Sequence, residues 1–94
     1  MMLETKPWDA VDHINSPEQQ AAYLEAAFED GDPALIAAVI GDIARARGMS
    51  DLARETGVTR NALYKAFRDG GNPTLSTLSS VVKALGYKLT VNPR

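Results

Sequence analysis

Arg60, Asn61, Tyr64, Lys65 and Arg68 lie close together in the stretch DLARETGVTRNALYKAFR, residues 51–68, and are the side chains of this chain best suited to recognising a partner. An arginine can bond a guanine edge bidentately, an asparagine an adenine, and a lysine a guanine or a phosphate. If Leu63 and Phe67 turn inward on a helix, all five polar groups are left on its outer side. Arg60, Asn61 and Lys65 are then expected at base edges, since residues near the start of a recognition helix do most of the reading. Tyr64 is expected at a base or a phosphate. Thr59, with the backbone at the helix start, is placed to hold a phosphate, and Arg54 and Arg68 fit the role of backbone contacts.

Bond-breaking chemistry has little to stand on. His13 is the only histidine, and with Asp9 and Asp12 it reads as a surface group of an N-terminal loop. There is no cysteine, no phosphate-cradling glycine loop and no Gly-x-Ser-x-Gly elbow. We therefore expect no enzyme, no cofactor and no metal.

The helices that must position this face are marked by their punctuation. Leu52, Val58 and Leu63 are expected inward, Ala53 is small enough for a close crossing, and Gly57 supplies the turn between two short helices. Ser50 is expected to cap the first of them through Thr56, and Thr59 the second through about Phe67. Upstream, Ser16-Pro17 starts a helix to about Phe28, and Asp32-Pro33 starts another. In that second helix Leu35, Ile36, Val39, Ile40 and Ile43 form the apolar spine, Arg45 and Arg47 suit its last turn, and Gly48 ends it. Downstream, RDGGNP reads as a loop and Thr74 as the cap of a fifth helix that stops at Gly86. Tyr87, Leu89 and Val91 then alternate as in a strand. A lone strand has no ladder, so the expected partner is the same strand of a second copy, with an arm lying on its own domain as the alternative.

The chain of 94 residues has a formal net charge of −2, but its halves differ. Residues 1–43 carry one cation against nine anions, a net of −8, and residues 44–94 carry nine cations against three anions, a net of +6. Such asymmetry is the mark of two surfaces, one of them suited to a polyanion. The hydrophobic content of 45% fits one small domain, and the absence of both a signal sequence and a long apolar run points to a soluble, cytoplasmic protein with no membrane partner.

The segments GDPALIAAVIGDIARARGMSDLARETGVTRNALYKAF and GGNPTLSTLSSVVKALGYKL resemble the addiction-module antidote proteins, small antitoxins with a helix-turn-helix of the Cro and lambda-repressor class. ARARGM, LYKAF, GNPTL and ALG carry the resemblance, which runs from about Trp8 to Leu89. It implies a lambda-repressor-like helix-turn-helix that acts as a dimer, and with the elements read above the expected fold is an all-α, five-helix domain with a short C-terminal β-strand paired across a homodimer. It also implies a type II antitoxin that neutralises a RelE/ParE-like toxin and represses its own operon by binding double-stranded operator DNA. A stand-alone repressor without a toxin, and an interaction module that does not bind DNA, are the alternatives.

On this reading residues 1–31 form an acidic toxin-binding region, 32–86 the DNA-binding domain and 87–94 a dimerisation segment carrying Tyr87, Leu89 and Val91. Trp8, Tyr23, Leu24 and Phe28 are the candidate apolar anchors for a basic toxin. Packing of Leu24 and Phe28 on the core is the competing expectation.

Overall fold

The computed structural model describes residues 16–94, which form five helices: α1 (Pro17–Asp30), α2 (Pro33–Arg47), α3 (Met49–Thr56), α4 (Arg60–Phe67) and α5 (Leu75–Ala84). Four of the five starts follow from local chemistry. The Ser16 hydroxyl accepts from the Gln19 N–H at 3.1 Å and the Asp32 carboxylate from the Ala34 N–H at 3.0 Å, each with proline in the first helical position. Thr59 and Thr74 accept from the N–H groups of Ala62 and Thr77, both at 3.1 Å. Each such cap satisfies a donor that the helix cannot, and is worth about 1 kcal/mol.

The start of α3 differs from expectation. Ser50 lies inside the first turn and does not cap it; Gly48 stands at the boundary with no side-chain bond. The Gly48 N–H closes α2 on the Ala44 carbonyl at 2.8 Å, and its own carbonyl accepts from the Leu52 N–H at 3.2 Å. One residue thus ends one helix and begins the next, at φ 118°, a conformation that favours glycine. That arrangement also brings Met49 into the core.

The core is contiguous across all five helices. α2 packs on α1, α3 and α4, and α5 packs on α3. Ile40, Ile43, Leu52, Leu63, Phe67 and Val81 are the largest fully buried side chains, and Leu24 and Ala27 of α1 belong to the same cluster. Burying an aliphatic or aromatic side chain of this size stabilises by roughly 1.5–3 kcal/mol. Of the expected α2 stripe, Val39, Ile40 and Ile43 are buried and Ile36 partly so, whereas Leu35 is 40% exposed and does not join the core.

Gly41 of α2 marks a crossing too close for any other residue. A Cβ there would lie 2.7 Å from the Phe67 carbonyl oxygen and 3.2 Å from the Phe67 Cβ. The end of α4 is therefore seated directly on the α2 backbone.

No strand occurs among the described residues, so the expected strand at Tyr87–Val91 is a correction. A strand exists through its ladder of backbone bonds, and no segment lies beside this one to supply it. The chain instead turns back on the fold. The Tyr87 N–H donates to the Val82 carbonyl at 3.1 Å, and the one Tyr87 hydroxyl hydrogen is shared between two acceptors, Gln20 Oε1 at 2.9 Å and the Pro17 carbonyl at 3.2 Å. Tyr87 is half-buried, whereas Leu89 and Val91 are exposed, so the alternation does not mark a buried face.

Candidate nucleic-acid interface

α4 is eight residues long, and its two faces are set by what the core takes. Leu63 and Phe67 are each only 1% exposed, which leaves Arg60, Asn61, Tyr64 and Lys65 outside, with Arg68 exposed just past the last turn. The five candidate side chains are thus brought together as the spacing requires. The Arg60 guanidinium lies 5.6 Å from the centroid of the Tyr64 ring, one turn on. Such a cation–π contact holds the arginine along the outer face.

The turn before α4 is fixed by a residue that sequence reasoning passed over. Thr56 Oγ1 donates to the Leu52 carbonyl at 2.7 Å and accepts from the Val58 N–H at 3.1 Å, while Gly57 takes φ 78° and bonds back to Ala53. Thr-Gly at the end of a short helix was the available signal. Beyond α4, a Cβ on Gly71 would lie 2.7 Å from the Lys65 carbonyl, with Ala66 nearer still, so the following loop folds tightly under the helix end.

Charge separates α4 from its neighbours. Arg45 pairs with Asp42 at 2.6 Å, Arg47 with Glu55 at 3.5 Å, and Arg54 with Asp51 one turn back on α3. All are exposed pairs, worth about 0–1 kcal/mol each, but they balance the local field. Arg47 also donates to the Ala84 carbonyl at 3.2 Å, which ties the end of α2 to the end of α5. Among the described residues Arg60, Lys65 and Arg68 have no ion-pair partner. The unmatched positive charge near the α3–α4 turn is therefore that of α4. Arg54, a candidate on α3, is exposed but leans on Asp51.

The candidates of the acidic region are spread over different environments. Trp8 lies outside the described residues, as do His13, Asp9 and Asp12. Tyr23 is half-buried, and its hydroxyl reaches Asp42 Oδ2 of α2 at a long 3.5 Å. Burial first, then the Asp42 charge and this bond, raise the phenol above its ordinary value. Leu24, 6% exposed, is spent in the core, whereas Phe28 is 36% exposed at the surface. No helix among the described residues is long and apolar enough to cross a membrane.

Fold and site together define an all-helical domain that displays one short basic helix on a buried apolar seat. The chain belongs to the family of probable addiction module antidote proteins, whose model matches residues 4–93. It is 41% identical over 91 residues to an uncharacterized protein of Haemophilus influenzae, a match that covers 97% of this chain and 94% of the relative. No solved structure matches it. An antidote implies a toxin for it to counter.

Proposed function

We propose that this protein is the antitoxin of a type II module, that it neutralises a RelE/ParE-like toxin in the cytoplasm, and that it binds operator DNA as a dimeric autorepressor. In this reading α3 and α4 are a helix-turn-helix and α4 enters the major groove. The observation that carries the DNA half is the outer face of α4, where Arg60, Lys65 and Arg68 stand without ion-pair partners among the described residues, opposite the buried Leu63 and Phe67. Arg60, Asn61 and Lys65 read bases, and Tyr64 joins them or meets a phosphate. Thr59 meets a phosphate with its hydroxyl hydrogen, since its oxygen already accepts from Ala62. Arg54 and Arg68 hold the backbone. Two copies would set their recognition helices in successive major grooves about 34 Å apart and read a palindrome.

The test is a titration of the protein against a duplex of its own upstream region at two salt concentrations, with a scrambled duplex beside it. We expect selective binding that weakens steeply with salt, because each phosphate neutralised releases counterions. Equal binding to both duplexes, or none, refutes operator recognition by the free protein.

A further inference from the structure

The two ends of the described chain meet in one open groove of about 790 Å³ between α1 and the segment that follows Gly86. Leu24 and Val82 line it, Phe28 and Glu29 stand on its α1 side and Leu89 on the other. Phe28 and Leu89 are two of the largest apolar side chains left exposed, at 36% and 40%. The wall that carries Leu89 is held in place, because Tyr87 is bonded to Pro17 and Gln20 at the start of α1.

The rim has a definite charge. α1 contains Glu18, Glu25, Glu29 and Asp30 and neither lysine nor arginine. None of these carboxylates is in an ion pair among the described residues, unlike Asp42, Asp51 and Glu55 of α2 and α3. Glu25 and Glu29 line the groove, and Lys88 is the one cation among its lining residues.

From this we infer that the groove is the toxin-docking site, and that it takes a basic, amphipathic segment of the toxin whose apolar side chains fill the groove while its lysines or arginines meet Glu25 and Glu29. This deepens the antitoxin reading above and rests on it. Charge complementarity selects the occupant. A nucleic acid is repelled by α1, and a second copy that pairs α1 with α1 across a two-fold axis sets like charge against like, whereas a basic segment satisfies both the apolar floor and the acidic rim. The fold thus joins into one surface the acidic region and the C-terminal segment, which the sequence assigned to two separate tasks.

Deleting α1 would uncover the core at Leu24 and Ala27, so the test uses surface substitutions in the full chain. The probe is the purified product of the reading frame that adjoins this gene, titrated against the wild type, the double variant Glu25→Lys/Glu29→Lys, Leu89→Asp and Arg60→Ala. Thermal melts and duplex binding are recorded for each. We expect both groove variants to bind the probe at least tenfold more weakly with melts kept, the glutamate double variant to keep duplex binding as well, and Arg60→Ala to bind the probe as the wild type does. The loss in the double variant should come mainly from slower association and shrink at high salt, as for a rim charge. A wild-type complex that both groove variants form equally well overturns the groove and leaves the antitoxin reading standing. No complex with the wild type overturns both. A wild-type dimer that Leu89→Asp splits, with probe binding unchanged, assigns the groove to a second copy and overturns the proposal.

Discussion

α1 and α4 both lie at the surface, yet they face solvent with opposite charge. α1 has four carboxylates and no cation, while α4 and its cap have Arg60, Lys65 and Arg68 and no anion. Between them, the cations of α2 and α3 are tied to carboxylates of the same two helices. The net charge of −2 therefore describes neither face. Since exposed charges are screened beyond about 8 Å at physiological salt, each face presents its own local field rather than the average. A protein with an acidic mean can in this way present a basic helix to a polyanion.

The contrast can be broken most severely at the seat of α4. Phe67→Ala removes a fully buried ring from beneath that helix and should cost about 3–5 kcal/mol of stability in a denaturant melt. Duplex binding should fall with it. A melt unchanged within error would mean that α4 is not held by the core. A smaller effect sharpens the distinction between free and balanced cations. Arg60→Ala should cost roughly 1–3 kcal/mol of operator affinity and relax specificity at one position, whereas Arg54→Ala, whose charge is already partly met by Asp51, should weaken all duplexes alike and by less. Thermal melts should show neither change. Uniform losses in both variants across a set of operator sequences would show that base readers and backbone holders are not separated as assigned.

The smallest effect belongs to the α1 side. The Tyr23 phenol is raised above its ordinary 10.0 by burial and by Asp42, and a proton is held more tightly in the folded than in the unfolded chain. The corresponding stability is complete below about pH 10 and is lost as pH rises through the folded value, because only the unfolded chain then gains by releasing the proton early. Tyr23→Phe should flatten the alkaline end of a stability–pH curve. An equally steep decline in the variant would place its source elsewhere.

Much of this was legible in the sequence because it is local. The caps at Ser16, Asp32, Thr59 and Thr74 need only a side chain and the backbone two or three residues on, and the split of α4 into Leu63 and Phe67 against its polar face needs only helical spacing. Ser50 misled because its cap signal competed with the burial of Met49, and a tertiary contact outweighs about 1 kcal/mol of capping. Gly41 was unreadable for the same kind of reason. Its role is to leave room for Phe67, and nothing in its neighbours along the chain announces that.

The sequence by itself determined the five helices, the basic outer face of α4 and the unequal charge of the two halves, since these follow from period, punctuation and composition. It took the packed fold to pair Arg47 with Glu55 across two helices, to pin the C-terminal segment by Tyr87 to the start of α1 instead of leaving it a strand, and to set Phe28 and Leu89 on one groove. The last two depend on residues some 60 to 70 positions apart in the chain being brought together, and it is the packing of the helices, not local preference, that does so.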